Sequence, residues 1–236
     1  MTSALQCNSS RILTVDEANR IRAVIEKPSS RALFDLLLCT GMRLSEVKQL
    51  RDNPAIFDQE RRSIVIKSGK TQASQAGRNV CLSDKGMQAV KAYLALPSVP
   101  GSPTGWQKNL IRWAQRARLT ALPGHEISGN PTGITVRTSR KSLESWLLSA
   151  HPDKLPYIVL SQGHNEMMSI RHYLNIAFTA AERADIQRKN SLDLPVYKWH
   201  STTCTGTPPQ ILPAPHGPQI TSATKQHSTT KYPANT

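Results

Sequence analysis

The chain has 236 residues, with 30 Lys and Arg against 16 Asp and Glu, a formal net charge of +14. A basic excess of this size points to a polyanionic partner, nucleic acid first and an acidic membrane surface second. The membrane option needs an amphipathic anchor or a lipidation signal, and neither is seen; the longest apolar run, "ALFDLLLC", is too short to span a bilayer and contains Asp35.

The N-terminus, "MTSALQCNSSRILTVDE", lacks the apolar core of a signal peptide. A soluble, cytoplasmic protein is therefore expected. Cys7, Cys39, Cys81 and Cys204 are scattered without zinc-ligand spacing, and such a compartment disfavours disulfides. Cys39 lies in an apolar run and is expected to be a buried packing residue.

In chain order, "LTVDEANRIRAVIEK" opens with Thr14 and, three residues on, Glu17, a capping box before a helix. Leu13 is placed for a hydrophobic staple. Val15, Ala18, Ile21, Val24 and Ile25 form the apolar stripe. "SRALFDLLLCT" is apolar on most sides and predicts a central core helix. After Gly41, "LSEVKQLR" predicts a third helix ending near Asn53-Pro54. "RRSIVIKSGKTQASQAGRNVCLS" alternates apolar and polar around a polar middle, a β-hairpin with a long tip. Ser83-Asp84 caps the helix "KGMQAVKAYLAL". Pro97, Pro100 and Pro103 mark a loop before the basic helix "GWQKNLIRWAQRARL". After the loop "PGHEISGNPTG", "ITVRTSRKSLESWLLSA" predicts an amphipathic helix burying Leu143, Trp146, Leu147 and Ala150. Two further stretches, "DKLPYIVLSQGH" and "MMSIRHYLNIAFTAAERADIQRK", complete a mainly α domain with a small antiparallel hairpin, an α+β class. After about residue 190 the chain is Thr- and Pro-rich and aperiodic, and a disordered tail is expected.

Five features recur in a telling order: Arg43 in "TGMRLSE", Lys70 in "KSGKTQ", Arg137 and Arg140 in "VRTSRKS", His164 in "QGH", and Tyr173 nine residues later in "RHYLN". Together they resemble the catalytic domain of the tyrosine recombinases, or phage-type integrases. The resemblance covers roughly residues 13–188. It leaves residues 1–12 as a short N-terminal arm and 189–236 as the tail. "TGMRLSE" is similar to the family's first motif, and the Gly-His to Tyr spacing to its last. The family usually has histidine three positions before the second arginine, where this chain has Arg137. The family's N-terminal DNA-clamping domain has no counterpart before residue 13.

The resemblance implies strand transfer through a covalent 3′-phosphotyrosyl intermediate. Arg43, Lys70, Arg137, Arg140 and His164 would be the catalytic set and Tyr173 the nucleophile. The chemistry is reasonable for these residue types. A phenol with an ordinary pKa of about 10 must lose its proton to attack, and a positive site favours the phenolate. Two guanidiniums can grip the non-bridging oxygens without losing charge. A lysine on a hairpin can protonate the departing 5′-oxygen. The phosphotyrosyl bond conserves energy, so resealing calls for no cofactor, ATP or metal, in keeping with the lack of a Walker loop.

Alternatives stay open at several positions. Lys67 competes with Lys70, although strand alternation sets Lys67 on the face opposite Ile64 and Ile66. Arg137 either replaces the family histidine or contacts a phosphate. Tyr157, in "PYIVL", is expected in the core, Tyr197 lies at the tail boundary, and His172 is read as a local hydrogen-bonding residue. A relic that binds DNA without cutting, and a type IB topoisomerase, are the competing functions.

Beyond the site, Lys108, Arg112 and Arg116 fall at i, i+4 and i+8, with Arg118 flanking. They form a basic stripe that no carboxylate of the helix interrupts, with Trp106, Leu110 and Trp113 on the other face. Lys141, next to Arg140, is read as a phosphate contact or a solvated residue. Double-stranded DNA is the expected partner, with the protein nucleoid-associated. By family analogy, recombination between two sites would assemble four protomers.

Overall fold

The computed structural model describes residues 4–7, 9–67, 77–97, 101–127, 129–163 and 178–193, with side chains through 188 in the last segment. Two short strands open the chain, β1 (Leu5–Cys7) and β2 (Ser10–Ile12), paired antiparallel with Leu5 opposite Ile12. The sequence reading took this stretch as an arm. It is instead part of the fold: Ile12 is fully buried, and β2 packs on a later helix. Strands of three residues are too short for alternation to show.

Helix α1 (Val15–Val24) starts as the capping box requires. The Glu17 amide donates to Thr14 Oγ1 at 3.2 Å, and the Thr14 amide donates to Glu17 Oε2 at 3.1 Å. Helix α2 (Pro28–Thr40) begins with Pro at its first position and buries Leu33, Phe34, Leu36, Leu37 and Leu38. The one acid in its apolar run, Asp35, pairs at 2.8 Å with Arg22 of α1. Cys39 is half-buried rather than buried. Helix α3 (Leu44–Asp52) follows after Gly41.

A three-stranded antiparallel sheet comes next, β3 (Phe57–Asp58), β4 (Ser63–Ile66) and β5 (Arg78–Cys81), with β4 in the middle. Ile64 and Ile66 face the core across from Val80 and Arg78, while Val65 faces out. The tip of the predicted hairpin, 68–76, lies outside the described residues.

Ser83 caps α4 (Asp84–Leu94) and Ser102 caps α5 (Pro103–Arg116) through hydrogen bonds from Gly86 and Gly105. On α5, Trp106 and Trp113 meet edge to face at 5.3 Å and are buried with Leu110, the apolar face the sequence predicted.

Helix α6 (Thr138–Ala150) departs from expectation. It starts four residues later than "ITVR" suggested, because Thr138 Oγ1 accepts from the Thr135 amide and closes a turn. It is also not amphipathic: every residue from Thr138 to Leu148 is buried. Several of these polar side chains survive burial because backbone groups pair with them. The Leu13 amide donates to Ser142 Oγ at 2.8 Å, Ser145 Oγ to the Lys141 carbonyl at 2.7 Å, and Trp146 Nε1 to the Leu13 carbonyl at 2.8 Å. Helix α6 is the central rod, in contact with α2, α7 (Leu155–Gln162), α8 (Ala180–Asp193) and β2. Helix α8 runs past residue 188, where the sequence reading ended the domain. The tail from 194 on lies outside the described residues.

Arg11, fully buried, ties the N-terminal hairpin to the loop after α5. Its guanidinium engages both Glu17 oxygens and donates to the Thr120 carbonyl at 2.8 Å. Tyr157 was expected in the core but is 45% exposed, with Leu160 one turn on at 69%. Helix α7 buries Ile158 and Val159 instead, so the apolar run "PYIVL" is only half inside.

Candidate active site

The site begins at two glycine turns. Gly41 ends α2 with φ +63°, and a Cβ there would lie 2.5 Å from Gln162 Oε1. Gly163 ends α7 with φ +64°, and a Cβ there would lie 2.8 Å from Arg78 Cδ. Only glycine takes these left-handed positions without strain, and both glycines bring backbone close to an opposing side chain.

The Gly41 turn sends Arg43 outward as the N-cap of α3, its side chain 54% exposed. Glu46, one turn into α3, is 6% exposed on its side chain. It accepts from the Arg43 amide at 2.6 Å and from Arg43 Nη1 at 2.9 Å. The same carboxylate receives Arg78 Nη2 at 2.6 Å and Nε at 3.3 Å. Arg140 Nη1 stands 4.0 Å from Glu46 Oε2. Arg140 itself is pinned by backbone, donating from Nη1 to the Gly41 carbonyl at 3.0 Å and from Nη2 to the Gln162 carbonyl.

Three guanidiniums thus surround one carboxylate. Burial works to raise the Glu46 carboxyl's pKa. The hydrogen bond and charge of Arg78, the Arg43 amide and the charge of Arg140 outweigh it and hold the carboxyl below its ordinary value. Arg140 is lowered to about 10, first by burial and then by the positive charges of Arg78 and Arg43. It remains cationic at neutral pH. Three guanidiniums around the one carboxylate they share, with Glu144 also acting on Arg140, leave the cluster net positive and set to receive an anion.

Arg43 and Arg140, 97 positions apart, therefore meet around Glu46. Arg137 is exposed at the N-cap of α6. Lys67 is exposed just after β4, while Lys70, His164 and Tyr173 lie outside the described residues, as do His172 and Tyr197. Gly163, the residue before His164, abuts Arg78 at the edge of the cluster.

Lys141 requires correction. It is buried, and its ammonium donates to the Cys7 carbonyl at 2.8 Å, holding the N-terminal hairpin against α6. Burial lowers its pKa, with Arg137 adding to the effect. A side chain committed inward in this way is not placed to reach a phosphate.

Lys108, Arg112, Arg116 and Arg118 are all exposed on or just after α5. A carboxylate from outside the helix does reach the stripe, since Arg116 pairs with Glu26 at 2.5 Å. Gln107 of α5 clamps the chain leading to α6, donating to the Ile134 carbonyl at 2.7 Å and accepting from the Val136 amide at 2.9 Å.

Sequence reasoning missed Glu46 and Arg78. Glu46 was in plain view within "TGMRLSE", three residues after Arg43. Arg78, in a polar stretch of the hairpin, carried no local signal. Among the described residues no group of three His, Cys, Asp or Glu is placed to hold a metal. A groove of about 790 Å³ lies among α1, α2, α4 and α8, and none of the clustered residues lines it. An extended polyanion can be gripped on an open surface, so the two need not coincide.

A mainly helical domain with a small antiparallel sheet and converging arginines is the architecture of a tyrosine recombinase catalytic domain. By sequence, residues 11–192 match the phage integrase family, and the chain belongs to it. No match to a curated protein was found. Among solved structures the fold is similar to XerA recombinase, at 17% identity and a TM-score of 0.53 over 75% of this chain and 64% of that one. It is also similar to the Tn1549 transposon integrase in complex with a circular intermediate DNA, at 17% identity and a TM-score of 0.51 over 73% and 62%. The chain thus spans a little under two thirds of the length of either structure. No helix among the described residues is long and apolar enough to cross a membrane.

Proposed function

We propose that this chain is the catalytic domain of a site-specific DNA recombinase that cuts and rejoins double-stranded DNA through a 3′-phosphotyrosyl intermediate, in the integration or excision of a mobile element. The observation that carries the reading is the meeting of Arg43 and Arg140 around Glu46, from two motifs far apart in sequence. Family membership and the DNA-bound state of a structural neighbour support it.

In this mechanism Arg43 and Arg140 hold the non-bridging oxygens of the scissile phosphate. Their charge also stabilises the extra negative charge of the pentacoordinate transition state. Tyr173 loses its phenolic proton to solvent and attacks phosphorus. As the Tyr O–P bond forms, the P–O5′ bond breaks and the 5′-oxygen departs with a proton from Lys70. His164 and Arg137 complete the positive site. The reverse attack by a 5′-hydroxyl releases the tyrosine and reseals DNA. The basic face of α5 binds the flanking duplex mainly through phosphates. Recombination between two sites brings four protomers together, in the cytoplasm and on the nucleoid.

The test is covalent capture. Nicked duplexes with a randomised core serve as suicide substrates, because loss of the short cleaved strand prevents resealing. The expected result is an SDS-resistant protein–DNA adduct that disappears in Tyr173→Phe. DNA binding without any adduct would instead mark a DNA-binding protein that has kept the fold and lost the chemistry. An adduct that survives Tyr173→Phe would place the nucleophile elsewhere.

A further inference from the structure

We propose that Arg78 is a positioning residue for strand cleavage: it locks Glu46, and through it Arg43, to the turn that precedes His164. The inference rests on the recombinase reading above and adds a residue to it.

The geometry is specific to a guanidinium. Arg78 is 9% exposed on its side chain, and it engages two different segments. Nη2 and Nε take the two Glu46 oxygens at 2.6 and 3.3 Å, and Nη1 donates to the Ser161 carbonyl. Its methylene stem runs beneath Gly163, close enough that a Cβ on the glycine would collide with Cδ. Arg78 also stands opposite Ile66 in the β4–β5 ladder, at the base of the hairpin that carries Lys70.

Arg78 therefore links three of the segments that bear the proposed catalytic residues: its side chain touches α3 and the α7 turn, and its backbone belongs to the hairpin. The fourth, α6 with Arg140, lies across Glu46. Without Arg78, Glu46 would keep only Arg43 as a hydrogen-bonded partner among the described residues, and its one remaining tie to the end of α7 would be the 4.0 Å approach of Arg140, which donates to the Gln162 carbonyl. Arg43 is more than half exposed, so its direction depends on that carboxylate. Displacement of a clamping group by about 1 Å can cost roughly a hundredfold in rate.

A buried ion pair with a purely structural role predicts something different. Its loss would lower the melting temperature and leave the cleavage rate of the folded fraction unchanged. The discriminating variant is Arg78→Lys, which keeps the charge and the stem but cannot bridge Glu46 and Ser161 together.

The experiment uses the full chain and the nicked duplex recovered by covalent capture. The adduct-forming rate is measured at saturating DNA, with affinity measured separately. Arg78→Lys is expected to bind DNA within about twofold of wild type and to cleave roughly 10- to 100-fold more slowly at saturation. Glu46→Asp, which retracts the carboxylate, should show the same split. The double variant should be no slower than the worse single one, because the two residues act as a unit. If Arg78→Lys melts below the assay temperature, Glu46→Asp carries the test alone. Wild-type cleavage at saturation in the tested variant, or a loss that merely tracks DNA affinity, overturns the proposal. A wild-type chain that forms no adduct fails earlier and overturns the recombinase reading itself.

Discussion

Arg140 donates a 3.0 Å hydrogen bond to the carbonyl of Gly41, a residue 99 positions earlier in the chain. The bond joins the start of the central helix α6 to the turn that releases Arg43. It explains why a Thr-Gly break sits behind an apolar helix: the turn exposes one arginine and offers a carbonyl to another. Removing either end of this bond should be felt at the site.

Replacing Gly41 by alanine forces a left-handed residue to carry a Cβ, placed 2.5 Å from Gln162 Oε1. The end of Gln162 can give way, so backbone strain dominates and the expected cost is about 1–2 kcal/mol. Urea denaturation measures it. A wild-type midpoint would show that the turn relaxes without cost.

Arg140→Lys keeps a cation but cannot serve the Gly41 and Gln162 carbonyls together. The adduct-forming rate on suicide DNA should fall at least about a hundredfold, the scale of losing one transition-state donor. DNA affinity should change little, because most phosphate contacts lie elsewhere.

Glu46 makes stability pH-dependent with a defined sign. Its folded-state pKa is held below the unfolded value of about 4.3. The ionised carboxylate therefore stabilises the fold above that value. Its contribution fades as pH falls from there through the folded pKa. Glu46→Gln should cost roughly 3 kcal/mol at pH 7, by leaving buried guanidiniums without their anion. The gap to wild type should narrow at pH 3. Denaturation at both pH values checks this, and an unchanged gap would mean that Glu46 does not titrate as described.

Lys141→Met separates an internal anchor from a DNA contact. Loss of the bond to the Cys7 carbonyl should cost about 1–3 kcal/mol of stability. The slope of log affinity against log salt should stay as in wild type. A phosphate contact would instead lower that slope by about 0.9.

On α5 the same measurement should give the opposite result. Arg112→Ala and Lys108→Ala should each flatten the salt slope by up to about 0.9. Glu26→Ala, which frees Arg116 from its exposed partner, should tighten DNA binding at low salt. Binding titrations between 50 and 200 mM salt would check both.

Much of the domain was legible because its signals are local. The Thr14–Glu17 capping box, the apolar faces of α1 and α5, the apolar core helix α2 and the Ser83 cap of α4 depend on neighbours within a few residues, and all formed as read, whereas the Ser102 cap that starts α5 at Pro103, inside the expected loop, was not read. The hairpin β1–β2 was not legible, since strands of three residues carry no usable period. Helix α6 was misjudged for a different reason. Its serines, Arg140, Lys141 and Glu144 look like a solvated face, but the backbone of distant segments supplies partners for much of that face. Tyr157 failed in the opposite sense, since a short apolar run cannot say which of its sides will be covered.

The sequence by itself determined the net charge of +14, the helical periods, the turn at Gly41, and the order in which the reactive residue types occur. These are properties of composition and of near neighbours. Only the tertiary structure decided that Arg43 and Arg140 share one carboxylate, that Arg78 joins them, and that Lys141 turns inward to the Cys7 carbonyl. Periodicity fixes which face of an element is apolar. It does not say which carbonyl or carboxylate, tens of residues away, will come within 3 Å of a buried charge, and that partner decides whether the charge serves the fold or the site.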